Sequence, residues 1–138
     1  MNKLTDLLIK HEGLRLRPYE CTAGKITIGV GHNLTDNGIT EKEAMMLLQR
    51  DINVCIQELR HYEWFNTLDG ARRDAIIDLY FCVGGPSFSH FRKLMWAIQN
   101  GNWKDAGAEV LDSKFARQTG NRAVELADML VSNQYTKS

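Results

Sequence analysis

Thr40 and Glu43 form a capping box at the head of a run in which Ala44, Leu47, Leu48, Ile52, Cys55, Ile56 and Leu59 recur at helical spacing. The spacing predicts a helix over about residues 40–60, which at the usual rise is roughly 30 Å long. In a chain of 138 residues a rod of that length spans most of a domain, so the other elements must gather around its two ends. Ahead of the rod the sequence is short and rich in turns. Behind it the apolar spacing is helical almost to the end.

Before the rod, Leu4, Leu7 and Leu8 keep helical spacing, and Gly13 is the usual left-handed stop, so Glu12 falls at a helix end. Two short runs, residues 14–19 and 25–30, flank Glu20, Cys21, Thr22, Ala23 and Gly24, which is the composition of a hairpin with a glycine-containing loop. Alternate strand residues share a face, so Thr27 is able to project to the side of the turn residues, where a carboxyl, a thiol and a hydroxyl could converge.

After the rod, Asp69 is expected to cap a helix whose stripe of Ala71, Ala75, Ile76, Leu79 and Val83 runs to Gly84 and Gly85. This is expected to be the central buried helix. Phe91, Leu94, Met95 and Ile98 suit a helix that stops near Gly101, and Asn102 caps a short one holding Trp103, Ala106, Val110 and Leu111. Residues 113–120 read as a short turn or helix. A last helix, carrying Ala123, Val124, Leu126, Ala127, Leu130 and Val131, is expected to fray into a polar tail. The class is α+β, mostly helical, with one early hairpin.

Composition narrows the function. Seventeen basic and seventeen acidic residues cancel, leaving no global field toward nucleic acid or anionic lipid. No apolar run is long enough to span a membrane, and no secretory pattern opens the chain, so synthesis in the cytoplasm without membrane insertion is expected. Cys21, Cys55 and Cys82 are odd in number and lack metal-ligand spacing, which fits reduced thiols and neither a disulfide framework nor a zinc site. No metal or other cofactor is expected. Pro18 and Pro86 are the only prolines and no linker-like segment appears, so residues 1–138 read as one domain.

The order Glu12, eight residues, Cys21, five residues, Thr27, with Gly29, Val30, Gly31 and His32 behind, resembles the phage-type lysozymes, the endolysin muramidases of glycoside hydrolase family 24. The resemblance covers almost the whole chain. It implies a lysozyme-like fold with a small hairpin lobe (about residues 12–50), a larger helical lobe (about 60–138, plus the N-terminal helix) and a long helix joining them. Polysaccharide would be cleaved in the groove between the lobes. In that family the glutamate is the general acid, the second position is usually Asp and in some members Cys, and the threonine helps to position a water. Carried over, Glu12, Cys21 and Thr27 are the catalytic residues. Phe81 and Asn33 match cleft positions that meet substrate, although Asn33 is polar where the better-known pattern is apolar. Arg122 matches an arginine that approaches the acid. His32 and Asp51 match a structural histidine–aspartate pair.

The residue chemistry bears on these roles. Taken alone, Glu12 is a solvated surface charge, Phe81 a core ring and His32 a surface or core histidine. Burial in an apolar wall, together with the helix C-terminus, would raise the Glu12 pKa into the range a proton donor needs. An Arg122 pair would act the other way, so its part would be to orient the carboxyl. An ordinary thiol with a pKa of about 8.5 is only about 3 per cent thiolate at pH 7. Cys21 is therefore expected to have a depressed pKa, with Arg15, Arg17 and Lys25 as the basic neighbours, or else to work un-ionised beside Thr27. Trp64, Trp96 and Trp103 recur within helical patterns and are read as packing residues.

The resemblance implies hydrolysis of the β-1,4 bond between N-acetylmuramic acid and N-acetylglucosamine in peptidoglycan, and lysis of a bacterial host. The expected partners are peptidoglycan as substrate and a separate holin-type membrane protein that releases the enzyme from the host cytoplasm to the cell wall. The chain itself is expected to be a monomer without a nucleic acid partner. Two rivals are a lytic transglycosylase, which forms an anhydro-sugar without water, and a non-catalytic peptidoglycan-binding module that kept the fold. The Cys21 and Thr27 pair argues against the first. Clearing of stripped bacteria separates enzyme from binder, and the chemistry of the fragment ends separates hydrolysis from transglycosylation.

Overall fold

The computed structural model describes residues 2–136. The chain divides into two compact units, Met1–Leu47 and Leu48–Ser138.

In the first unit α1 (Lys3–Glu12) starts on the Asn2 side chain, whose Oδ1 accepts from the Thr5 N–H at 2.7 Å, and ends where the Gly13 N–H donates to the Ile9 carbonyl. The predicted hairpin follows as β1 (Arg15–Glu20) and β2 (Ile26–Gly29), and a third strand, β3 (His32–Asn33), completes an antiparallel sheet in the order β1-β2-β3. A two-residue strand leaves no period to read, which is why the sequence shows only the hairpin. Tyr19 lies opposite Thr27 and Thr27 opposite Asn33, so β2 is central and Thr27 has a strand on either side. The β1 register slips between Arg15 and Tyr19. Pro18 falls in that interval, on an edge strand, where a missing donor is tolerated. A short helix, α2 (Leu34–Asn37), leads to α3 (Glu41–Leu59), close to the expected bounds. The capping box is formed: the Glu43 N–H donates to Thr40 Oγ1 at 3.1 Å, and the Thr40 N–H donates to Glu43 Oε1 at 2.9 Å. Among the described residues of this unit Thr27 alone is buried.

The second unit holds the core. A 3-10 turn at Glu63–Thr67 precedes α4 (Gly70–Phe88), α5 (Arg92–Gln99), α6 (Trp103–Leu111), α7 (Lys114–Thr119) and α8 (Asn121–Ser132). Asp69 occupies the N-cap of α4 but makes no side-chain capping bond; Asn133 Oδ1 accepts from the Arg72 N–H at 3.0 Å and satisfies that orphan donor from the far end of α8. The stop expected at Gly84 is a kink, because φ 79° and ψ 164° there break the helix while Pro86, pre-set for a first turn, restarts it. Of the expected stripe, Ala71, Ala75, Ile76 and Leu79 are buried with Tyr80 and Phe88, but Val83 is only half-buried and Phe81 and Cys82 are exposed. The helix is thus buried along one face and not all round. Small residues set the closest approach elsewhere: a Cβ on Gly107 of α6 would lie 2.8 Å from Val131 Cγ2 and 3.1 Å from the Ala127 carbonyl oxygen of α8.

Phe88 joins an aromatic cluster, its ring 5.1 Å from Tyr80, 5.8 Å from Tyr62, 6.0 Å from Phe91 and 6.3 Å from Trp64. Trp64 is buried and Trp103 half-buried beneath the Arg72 guanidinium, as packing residues, whereas Trp96 is exposed. The tail does not fray at once. Asn133 adopts a left-handed conformation, the Tyr135 hydroxyl donates to the Asp74 carboxylate, and Thr136 Oγ1 donates to Glu125 Oε1 at 2.8 Å.

Candidate active site

Glu12, Cys21 and Thr27 all belong to the first unit. Cys21 follows β1, and its position is set by two backbone bonds across the turn: its N–H donates to the Lys25 carbonyl at 2.9 Å, and the Gly24 N–H donates to its own carbonyl at 2.9 Å. The thiol is half-buried and its pKa is lowered, chiefly by the backbone N–H groups of Lys25 and Ala23, with the Thr27 hydroxyl adding to them and partial burial opposing. Each donor favours the thiolate because a hydrogen bond to the charged form stabilises it. The expected depression is present, but its cause differs. Backbone donors supply it in place of the basic side chains: Lys25 pairs with Asp36 at 3.1 Å, and the Arg15 guanidinium lies over the Tyr19 ring.

Thr27 is 4 per cent exposed, and its Oγ1 donates to the Lys25 carbonyl at 3.0 Å. One hydroxyl has one proton. That proton serves the Lys25 carbonyl, which also accepts from the Cys21 N–H, while the same hydroxyl is a minor contributor to the lowered Cys21 pKa.

Glu12 is the last residue of α1 and is exposed, so the first unit does not bury it in an apolar wall as expected. Its carboxyl lies against Gly31, in the loop between β2 and β3, with Oε2 2.8 Å from where a Cβ on that glycine would stand. The sheet thus borders the acid through Gly31 and the thiol through Thr27.

His32 and Asn33 are committed locally. Nε2 of His32 lies 2.7 Å from the Gly38 carbonyl, and His32 is a minor electrostatic contributor, after the Thr40 backbone and hydroxyl, to holding Glu43 below the usual carboxylate range. Asn33 caps α2: its Oδ1 accepts from the Asp36 N–H at 3.0 Å and its Nδ2 donates to Asp36 Oδ2 at 2.9 Å. Both ends of that amide are engaged. Asp51 lies on the part of α3 that belongs to the second unit.

In the second unit Phe81, 43 per cent exposed, lines a cavity of about 470 Å³ with Leu48, Ile52, Ile56 and Ile77 as apolar wall and Arg73, Asp74, Asp78 and Arg122 as polar groups. Arg122, expected beside the acid, donates from Nε to Asp78 Oδ1 at 2.8 Å, with an Nη nitrogen also 2.8 Å from the same oxygen. Both side chains are partly exposed to solvent, which screens the pair, so it adds little to stability. Asp74, Asp78 and Phe81 stand at i, i+4 and i+7 on α4, one helical face, and that spacing was the signal by which the two aspartates could have been found. The Ala23 and Lys25 N–H groups left no such trace, since every residue but proline carries one. An apolar wall with charged groups at its edge is the arrangement by which a sugar ring is packed on its flat face and hydrogen-bonded at its hydroxyls.

Comparison with known proteins fits this geometry. The family model for phage lysozyme matches residues 9–129. Probable T4-type lysozyme 2 of Dictyostelium discoideum is 26% identical over 153 residues, covering 89% of this chain and 90% of that protein. An endolysin of Acyrthosiphon pisum secondary endosymbiont phage 1 is 32% identical over 120 residues, covering 84% of this chain and 80% of that protein. A stretch of the pre-baseplate central spike protein Gp5 of Enterobacteria phage T4 is 24% identical over 159 residues, covering 94% of this chain but 28% of the spike protein.

Proposed function

Because this chain belongs to the phage lysozyme family, we propose that it hydrolyses the β-1,4 bond between N-acetylmuramic acid and N-acetylglucosamine in bacterial peptidoglycan, with Glu12 as general acid. The Glu12 carboxyl gives its proton to the glycosidic oxygen, and the leaving sugar departs as an alcohol. A water held by Thr27 and Cys21 attacks the anomeric carbon on the opposite face, and the Cys21 thiolate takes the proton that water loses. Exchange with solvent then returns a proton to Glu12 and removes one from Cys21. The observation that carries this reading is the Cys21 thiol, whose pKa is lowered by the backbone N–H groups of Lys25 and Ala23, beside the buried Thr27 hydroxyl, because that lowering favours the thiolate, the form that acts as a base. In the second unit, the apolar wall at Phe81 would pack against a sugar face, with Arg73, Asp74 and Asp78 meeting hydroxyl or amide groups.

The same reading pairs His32 with Asp51 as a structural contact, in which case Asp51→Asn lowers the melting temperature and leaves turnover largely intact. It also places the enzyme in the cytoplasm of a bacterial host, from which a lesion made by a separate phage membrane protein would admit it to the wall. Among the described residues no helix is long and apolar enough to cross a membrane. The test is Glu12→Gln on stripped bacteria, with mass spectrometry of the wild-type fragments. A folded Glu12→Gln protein is expected to lose on the order of a hundredfold to ten-thousandfold in rate. Wild-type clearing by that variant would end the acid assignment, and anhydro-sugar ends on the fragments would replace hydrolysis with transglycosylation.

A further inference from the structure

Gly31 closes the loop between β2 and β3 with a φ of +66°, and the left-handed region by itself favours glycine there. A second constraint acts on the same atom. A Cβ at Gly31 would stand 2.8 Å from Glu12 Oε2, 3.0 Å from Cδ and 3.1 Å from Cγ, all well inside ordinary van der Waals contact. The space a side chain would take is filled by the carboxyl of the acid. Two residues earlier, Gly29 has a φ of +71° and nothing within 4 Å of the equivalent position. Gly29 at the end of β2 and Gly31 in the loop after it thus share a positive φ of nearly the same size, and of the two only Gly31 touches Glu12.

We propose that Gly31 is a positioning residue for Glu12: its bare Cα is the shelf against which the carboxyl rests, and it fixes where the proton is delivered. The inference rests on the reading of Glu12 as general acid. The atoms that a methyl group would displace are the far end of a flexible side chain, so the carboxyl swings aside at small cost to folding. The cost falls on the reaction instead. A proton donor moved by several tenths of an ångström leaves the near-attack geometry, where a full ångström costs on the order of a hundredfold.

Gly29 supplies the control, since Gly29→Ala and Gly31→Ala introduce the same methyl on the same kind of backbone. We expect Gly31→Ala to lose roughly tenfold to a hundredfold in kcat per folded molecule, with KM little changed, while Gly29→Ala keeps most of its turnover. Asn tolerates the left-handed backbone better than Ala but still carries a Cβ, so Gly31→Asn should fold at least as well as Gly31→Ala and be as slow, which keeps the test readable if the alanine variant fails to fold. In a Glu12→Gln background Gly31→Ala should cost nothing further, because a residue acting only through the acid has no effect once the acid is gone. Equal losses at Gly29 and Gly31, with Glu12→Gln inactive, would overturn the positioning role alone, as would an additive loss in the double variant. Full activity in Glu12→Gln would overturn the acid reading and this inference together.

Discussion

Among the described residues, the first unit buries a single side chain, Thr27, and carries all three groups assigned to the chemistry, whereas the second buries the aromatic and aliphatic core and carries none of them. Leu4, Leu7, Leu8, Leu14 and Leu16 in the first unit are all exposed, while Leu59, Ile76, Leu79, Leu94 and Leu130 in the second are 1 per cent exposed or less. The same residue type thus plays different parts. In the first unit geometry is fixed by directional bonds: the Asn2 and Asn33 caps, the Thr40 and Glu43 box, and the backbone bonds around Cys21. In the second it is fixed by apolar area and close fit. Directional bonds place a functional group to within tenths of an ångström but contribute only about 1 kcal/mol each, whereas one buried ring contributes several. Lesions in one unit should therefore appear mainly as activity and in the other mainly as stability.

The largest stability effect should come from Phe88, which is wholly buried and within ring contact of Tyr62, Trp64, Tyr80 and Phe91. Phe88→Ala removes a ring that four neighbours cannot collapse to replace, and should cost about 3–5 kcal/mol in denaturant unfolding. Turnover per folded molecule should change little. A specific loss of kcat at an unchanged unfolding midpoint would break the division between the units at its strongest point.

Cys21 gives the converse case. Cys21→Ala should lose most activity at an almost unchanged melting temperature, since the thiol is part of no core. Cys21→Asp should stay active, because a carboxylate can accept the same N–H donors from Lys25 and Ala23 that now favour the thiolate. Full activity in a folded Cys21→Ala protein would leave Thr27 and solvent as the whole of the water-placing machinery.

The contrast also explains what could be read before the structure. The helices of the second unit are written in apolar period, and Ala75, Ile76, Leu79, Leu94, Ile98, Ala106, Val110, Leu126 and Leu130 are all buried where that period puts them. Periodicity does not show a partner, however. It could not reveal that Arg122 would meet Asp78, or that Asn133 and Tyr135 would return the tail to α4, because such bonds join residues 44 and 61 apart by side chains with no repeating signature. In the first unit the order of Glu12, Cys21 and Thr27 singled out the groups proposed to react, yet the features that surround them were hidden. The groups that lower the thiol pKa are chiefly backbone N–H groups, and the neighbour of the Glu12 carboxyl is a glycine. Charge counting pointed to Arg15, Arg17 and Lys25 as the source of the depressed thiol because side-chain charge is what a sequence displays.

A smaller effect separates those two sources directly. If the backbone N–H groups and Thr27 lower the Cys21 pKa, alkylation by iodoacetamide should titrate with a midpoint below the ordinary thiol range. Thr27→Val should move that midpoint upward, by less than the backbone donors it leaves in place. Lys25→Met should hardly move it, since the main-chain donor remains and the ammonium is already paired with Asp36. A large upward shift in Lys25→Met with none in Thr27→Val would restore the basic side chains as the cause. A Cys55→Ala, Cys82→Ala background confines the label to Cys21, and bound peptidoglycan fragments should slow it.

The smallest expected effect probes the directional bonding itself. Glu43 is held below the usual carboxylate range first by the Thr40 backbone N–H and then by the Thr40 hydroxyl. A carboxyl whose folded pKa is depressed binds protons less readily folded than unfolded, so its contribution to stability is complete above the unfolded value near 4.5 and disappears as pH falls through the folded one. Glu43→Gln keeps a capping side chain that can accept from the Thr40 N–H and removes only the charge. Its melting temperature should therefore lie slightly below that of the parent at pH 7, and the two should converge as the pH falls below about 4.5. Thr40→Ala, which removes the cap at both protonation states, should cost about 1 kcal/mol at pH 7 and keep part of that deficit in acid. If Glu43→Gln shows the same deficit at pH 3 as at pH 7, the box acts through shape and not charge, and the electrostatic part of the contrast between the two units would be lost at this helix.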